Sequence, residues 1–308
     1  MNKRILQKYK RPIYKVLNWL IPDDKNYLAF NYRVKIGRKL DWNNLQTYTE
    51  KVQWLKLNDR KPEYTTMVDK YLVKDYVANI IGSEYIIPTL GVWEHAEDID
   101  FDRLPNQFVL KCTHDSGGLV ICKDKSKLDI KAARQVIAKG LKMSFYMEGR
   151  EYQYKDVVPR VIAEKYIEEE DGSAPNDYKV LCFGGVAKLI EVHHGRYSEQ
   201  HTQDFFDRDW HQTEVSQGGK DTRSVVPMEK PACLDEMIEK SEILAKGMRH
   251  VRIDWYIIKG HLYFGEITFY DGSGLEAFTT YEDDLLLGSW IDINENENNN
   301  ENVKQKIL

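Results

Sequence analysis

The chain has no run of 18 or more apolar residues, which excludes a helical membrane span. The apolar stretch at 16–21 is short and lacks a small-residue cleavage site, so a secretory leader is not expected. Cysteine is scarce: Cys112, Cys122, Cys182 and Cys233 are the four present in 308 residues, and no CxxC spacing occurs. That pattern excludes a disulfide scaffold and predicts reduced thiols in a cytoplasmic protein. Two familiar phosphate fingerprints are missing as well, GxxxxGK[ST] and a strand-linked GxGxxG. Acids are absent between Met1 and Leu20, where Lys3, Arg4, Lys8, Lys10, Arg11 and Lys15 stand, although the whole chain carries a net charge of -5. Such a segment suits peripheral contact with an anionic membrane surface. A solvated first helix is the ordinary alternative and is preferred, because Pro12 interrupts the segment. With its bulk acidic, the chain is not expected to take nucleic acid as a partner.

What is present is an ordinary globular profile, 42% hydrophobic and 12% aromatic, enough for one large domain or two lobes. Residues 1–40 read as basic and irregular. Residues 46–81 read as helical, with apolar residues at three- and four-residue steps in 48–57 and 67–80. A short strand with a Pro/Gly break is expected over 84–93. Residues 107–112 and 119–122 read as paired strands joined by the loop 113–118. An amphipathic helix follows over 126–142, then the strand "RVIAEKYI". "DYKVLCFGGVAKLIEVHH" reads as a hairpin turning at Gly184 and Gly185, and 251–270 as another turning near Lys259 and Gly260. A helix spans 234–248 between them, and the Asn/Glu-rich tail is expected to be disordered. Beyond Gln107 strands outnumber helices and come as hairpins, so the class is α+β and not a doubly wound parallel sheet.

Four stretches carry chemistry. Lys111 nears the end of an apolar strand whose following loop holds Ser116, Gly117 and Gly118, a combination that admits phosphate; a plain glycine turn with a solvated lysine is the alternative. Glu164 interrupts an apolar strand whose backbone has a donor and an acceptor for an adenine edge, or which is simply an edge strand with one polar face. Asp177 and Lys179 share one strand face and suit sugar hydroxyls and phosphate, or form a surface ion pair. In "VRIDWYIIKGHLYFGEITFYDGSG", hairpin pairing brings Asp254 near Glu266, and two carboxylates on a buried face repel unless a cation separates them. Oxygen ligands of this kind suit Mg²⁺. The alternative is an Arg252–Asp254 surface pair with Glu266 exposed. "EVHHGRYSEQH" adds His193, His194, Arg196 and His201. Arg196 is suited to clamp a carboxylate and a histidine to take a proton from an amine, although a solvent-facing strand end explains the histidine pair more simply. Three Asp-x-Asp segments, at 98–100, 100–102 and 207–209, leave a metal-dependent glycosyltransferase as a rival reading.

The order of these motifs resembles the ATP-grasp fold. "YTEKVQWLKLNDR", "FVLKCTHDSGG", "DYKVLCFGG", "HVRIDWY" and "YFGEITFYDGSG" are similar, more narrowly, to its TupA-like branch, named for teichuronopeptide biosynthesis, and the resemblance covers roughly 40–293. It implies two antiparallel-sheet lobes with ATP between them, preceded by a helical N-terminal segment. The implied boundaries are 1–40 for the basic segment, 41–104 for a helical subdomain, 105–166 for the first lobe, 167–293 for the second with its metal site, and 294–308 for the tail. Lys74 and Lys111 then match phosphate-contacting lysines, and Thr113, Ser116, Gly117 and Gly118 belong to a loop that closes over phosphates. Glu164, Lys165, Tyr166 and Ile167 match the adenine-binding strand, and Asp177 with Lys179 the ribose and phosphate positions. Arg252 matches a residue near the γ-phosphate, and Asp254 and Glu266 match Mg²⁺ ligands. Thr268 stands where the superfamily usually has Asn, which puts the second metal position in doubt. The implied activity is ATP- and Mg²⁺-dependent ligation of a carboxylate to an amine, here an amine and a uronic-acid sugar of a cell-surface polysaccharide. A glycosyltransferase and an ATP-dependent phosphotransferase remain the alternatives.

Overall fold

The computed structural model describes residues 14, 16–114, 118–195, 201–218, 223–226 and 228–294. Ser116, Gly117 and Arg196, most of the basic N-terminus and the Asn/Glu-rich tail lie outside the described residues.

Helix α1 (Asp24–Ile36) occupies part of the stretch expected to be irregular. Its apolar stripe is thin, but Asp23 caps the start by accepting from the Asn26 N–H at 2.9 Å, and Gly37 closes the end at φ 80°. Helix α2 (Tyr48–Asn58) starts on a capping box between Thr47 and Glu50. Helices α3 (Glu63–Val68) and α4 (Leu72–Ile81) follow.

The first sheet has the order β1-β4-β2-β3, all antiparallel, from β1 (Thr89–Trp93), β2 (Phe108–Cys112), β3 (Leu119–Cys122) and β4 (Val161–Lys165). β1 starts only past Pro88, and 83–85 form a 3-10 turn where strand was expected, since proline cannot donate to a ladder. β4 lies between β1 and β2, so the segment carrying Glu164 is not an edge strand. On one face Leu110, Cys112 and Ala163 pack with Ala133 and Ile137 of α5 (Ile130–Gly140). The other face presents Lys111 and Glu164. A short α6 (Phe145–Gly149) leads from α5 towards β4.

The second sheet has the order β7-β6-β5-β8-β9, built from β5 (Asp177–Phe183), β6 (Val186–His194), β7 (Thr202–Phe206), β8 (His250–Ile258) and β9 (His261–Thr268). Its two hairpins turn where expected. Gly184 and Gly185 take φ 59° and 83°, and Lys259 and Gly260 take φ 51° and 75°. Two successive positive φ values match the right-handed twist of the flanking strands. One face packs Val180, Ile190, Ile253 and Trp255 with Leu234 and Met237 of α7 (Leu234–Leu244), where the Trp255 indole donates to Ser241 at 2.8 Å. The other face is polar and still largely buried. Helix α8 (Tyr281–Ser289) packs against α2, with Asp284 accepting from the Thr49 N–H at 2.8 Å.

Candidate active site

Strand register assembles the polar face. Glu266 stands opposite Asp254, Asp254 opposite Lys179, and Lys179 opposite Glu191; one step along, Thr268 stands opposite Arg252. Arg252 is 7% exposed and forks onto Asp254 with two bonds of 2.7 Å. It also donates to Asp271, to Thr268 at 3.2 Å and to Glu266 at 3.4 Å. Burial opposes its charge, but Asp254 and Asp271 outweigh burial and hold the guanidinium protonated. The Asp254 carboxyl is pushed above its usual range by burial; Arg252 pulls it back and Glu266 adds to the push. Glu266 goes the other way: against burial, Lys70 at 2.8 Å and Arg252 hold it below the usual carboxylate range. The two acids do face each other, and their repulsion is answered within the chain by Arg252 and Lys70. Of the alternative, an Arg252–Asp254 surface pair with Glu266 exposed, the pair itself forms, but it is buried, with Arg252 7% and Asp254 4% exposed, and Glu266 is half-buried.

The first sheet supplies the facing wall. Glu164 sits between the ammonium groups of Lys74 at 2.6 Å and Lys111 at 2.5 Å. Its burial would raise its pKa, yet Lys111 and Lys74 bring it down to about 2. Burial lowers the Lys74 ammonium in turn, with Glu164 opposing, and Lys74 also donates to the Ile87 carbonyl at 2.6 Å. The stem of the glycine loop is fixed: the Thr113 N–H donates to Arg160 at 2.8 Å, and the Lys70 N–H to Thr113 at 3.0 Å. The Cys112 N–H donates to Gly118 at 2.8 Å. Lys165 ends β4, its N–H donating to Pro88 at 3.0 Å, and Tyr166 and Ile167 follow it as half-buried residues.

Between the two walls runs a cleft of about 350 Å³. It brings together Lys74, Lys111, Gly118, Glu164, Asp177, Arg252, Asp254 and Glu266 from the sequence reading. Lys179 is buried on the same face, 3.6 Å from Asp177 and 3.8 Å from Glu191, so neither Asp177 nor Lys179 belongs to a surface pair. Thr113, Lys165, Tyr166, Ile167 and Thr268 are not among the lining residues. Lys70 also lines the cleft; the sequence reading does not name it as a ligand, because the Glu266 it pairs with lies 196 residues away and leaves no signal along the chain.

The family model described as TupA-like ATPgrasp matches residues 50–292. The chain belongs to this family. Among solved structures, the TupA-like chain is similar to the D-alanine–D-alanine ligase of Bacillus anthracis complexed with ATP at 18% identity and a TM-score of 0.40, with 72% of this chain and 63% of that one covered. For the D-alanine–D-alanine ligase of Helicobacter pylori the values are 16%, 0.42, 80% and 69%. For the L-amino acid ligase of Bacillus licheniformis they are 11%, 0.42, 83% and 57%. The TupA-like chain thus spans less than two thirds of the Bacillus anthracis enzyme's length. No curated protein matches it. The fold is ATP-grasp, with two antiparallel sheets in a mixed α+β chain.

In the TupA-like chain the donor set fits magnesium: two opposed carboxylates and the Thr268 hydroxyl, all hard oxygens. Asp207, Asp209 and His211 also bring ligand atoms within 4.8 Å of one another. There, however, Asp207 already accepts from the N–H groups of Asp209 and His211, which makes the segment a turn, and none of the three lines the cleft. Asp100 likewise accepts from the Asp102 N–H in an exposed turn. No helix among the described residues is long and apolar enough to cross a membrane.

Proposed function

We propose that the chain is an ATP- and Mg²⁺-dependent carboxylate–amine ligase that attaches an amino acid or another amine to a uronic-acid sugar in cell-surface polysaccharide synthesis. The observation that carries this reading is the charge layout of the cleft. Lys74, Lys111 and Lys70 stand on the nucleotide side, and Asp254 and Glu266 oppose each other across a hairpin. Asp254, Glu266 and Thr268 would hold Mg²⁺, which when bound supplies positive charge to transferring phosphoryl oxygens. Lys111 and Lys74 position the phosphates, and Glu164 fixes where both ammonium groups point. Lys165 to Ile167 receive the adenine edge, and Asp177 the ribose hydroxyls. Arg252, already charged and buried, stabilises the negative charge that grows as the substrate carboxylate attacks the γ-phosphate. ADP leaves as the acylphosphate forms, and the amine nitrogen then forms the C–N bond while the acyl C–O bond breaks and inorganic phosphate departs. The reaction is placed in the cytoplasm, with the basic N-terminus able to meet the inner face of the membrane.

The test is calorimetric titration of the purified chain with ATP–Mg²⁺ and, separately, with UDP-sugars. ATP–Mg²⁺ should bind, and Lys111→Ala should weaken it by roughly tenfold or more, the effect of losing about 1.4 kcal/mol of contact. Glu266→Gln should abolish turnover while leaving the melting profile of a folded protein. Binding of UDP-sugars without ATP would sink the ligase reading and favour a glycosyltransferase.

A further inference from the structure

Residues 16–20 are helical, and the segment closes where the Ile21 N–H donates to the Leu17 carbonyl at 2.8 Å. The side that meets the body of the protein is polar. The Asn18 amide donates to the Tyr14 carbonyl at 2.7 Å and, across to α6, to the Met147 carbonyl at 2.8 Å. Tyr14 is half-buried on the same side, where burial and the nearby Glu148 push its hydroxyl up to about 12. The Met147 carbonyl also accepts from the Tyr27 hydroxyl of α1 at 3.2 Å, so this contact ties both helices to α6 and sets how residues 16–20 are rotated.

The opposite side is apolar and stands in water. Val16, Trp19 and Leu20 fall at i, i+3 and i+4, so they share one face, and they are 54%, 80% and 60% exposed. Asn18 lies two residues from Val16 and from Leu20, about 200° around the helix. The usual arrangement, apolar side inward and polar side outward, is thus reversed. Single exposed apolar residues are ordinary; three together on one face mark a surface that meets something else. Charge says what that is. Lys3, Arg4, Lys8, Lys10, Arg11 and Lys15 precede this face in the sequence with no acid among residues 1–20, while the whole chain carries -5. The first acids are Asp23 and Asp24, and Asp24 is matched by Arg60 and Arg150, each at 3.0 Å. An anionic surface therefore attracts this end of the molecule and repels the rest. Tryptophan favours the boundary between headgroups and acyl chains, where its apolar body and polar edge are both satisfied.

We propose that Val16, Trp19 and Leu20 form a docking face for an anionic phospholipid bilayer, with the basic segment against the headgroups. The inference deepens the membrane contact proposed above and rests on that placement, but not on the ligase chemistry. Three side chains enter the boundary region and none spans it, so the docking is peripheral and reversible.

The experiment is cosedimentation of the full chain with vesicles, one set of phosphatidylcholine alone and one with about a third phosphatidylglycerol. The unaltered chain should bind the anionic vesicles at least about tenfold more tightly, and ~0.5 M salt should weaken that binding by screening the headgroups. Trp19→Glu and Leu20→Glu should each weaken it by roughly tenfold or more, the effect of no longer burying one large apolar side chain. Both variants should keep the parent's melting profile and its ATP–Mg²⁺ titration, because both side chains are mostly exposed. Val226→Glu, at a residue 68% exposed elsewhere on the surface, controls for the added charge. It should bind within about twofold of the unaltered chain. Failure of the unaltered chain to bind anionic vesicles overturns the proposal. So does binding that survives Trp19→Glu and Leu20→Glu, or that Val226→Glu weakens as much. Self-association that Trp19→Glu abolishes, without vesicle binding, would make the face an interface between copies and overturn the bilayer. Vesicle binding without ATP binding upholds the docking face and sinks the ligase reading instead.

Discussion

Glu164 is a single carboxylate taken almost wholly out of water, which costs several kcal/mol per ion unless partners compensate. Lys74 and Lys111 do so, and because Lys74 is itself buried the dependence is mutual. Glu164→Gln keeps the shape and removes the charge. It should cost roughly 3 kcal/mol of stability, the low end for breaking a buried pair, because Lys74 is left as an uncompensated buried cation. Urea unfolding checks it, and a loss under about 0.5 kcal/mol would mean that Lys74 does not depend on Glu164. His250 makes the same point with a proton. It stacks on Phe183, its Nδ1–H donates to the Cys182 carbonyl at 2.9 Å, and its Nε2 accepts from the Tyr48 hydroxyl at 3.0 Å. Burial pulls its pKa down to about 4. Below about pH 6.5 the unfolded chain takes up a proton that the folded chain refuses until about pH 4. The stability present above pH 6.5 is therefore lost as pH falls through that window, by roughly 3 kcal/mol. His250→Phe should flatten the slope of stability against pH there, whatever it does to the level at pH 7. An unchanged slope would place the acid sensitivity elsewhere.

At the scale of elements, α8 holds its position through backbone contact. A Cβ added at Gly288 would stand 2.3 Å from the Gln46 carbonyl oxygen and 2.6 Å from the Tyr48 nitrogen, and neither can move without disturbing the start of α2. Gly288→Ala should therefore cost about 1–3 kcal/mol, the range for overpacking, and lower the melting temperature by several degrees. A melting temperature at or above the parent's would show that α8 packs otherwise. The same helix explains what the sequence conceals. Apart from β7, which the sequence reading lacks, and the start of β1, the strands and both two-residue hairpins are legible in it because alternation and glycine pairs are local signals. α8 is not, because the residues it buries are Asp284, Leu287 and Gly288, and a carboxylate and a glycine contribute nothing to an apolar period. α1 likewise buries Asn31 among its tyrosines, leaving its caps as the stronger mark. In the site, the opposition of Asp254 and Glu266 follows from period-two counting about a known turn. The pairing of Lys70 with Glu266 joins residues 196 apart, and the clamp of Glu164 on Lys74 and Lys111 crosses between elements, so neither has any signature along the chain.

At the scale of the whole molecule, the cleft is a balanced set of charges before any nucleotide arrives. Glu164 neutralises two lysines, Glu266 holds Lys70, and Asp254 with Asp271 holds Arg252. ATP alone would add its negative charge beside carboxylates already buried on both walls, and the cations it needs are engaged. Bringing Mg²⁺ with it would change the arithmetic: Asp254 and Glu266 would gain a divalent partner, and Lys70 and Arg252 would become available to phosphate. Magnesium should thus be needed for tight nucleotide binding and not only for turnover. Chelation of the metal should weaken ATP binding at least tenfold, which is about 1.4 kcal/mol. Glu266→Gln should narrow that gap from both sides, since it weakens the metal site and releases Lys70 without it. ATP titrations with magnesium and with a chelator, on the parent and on Glu266→Gln, measure the four affinities. Equal affinity of the parent for ATP in both conditions would mean that the carboxylate pair serves Arg252 and Lys70 structurally and that the metal, if bound, sits elsewhere.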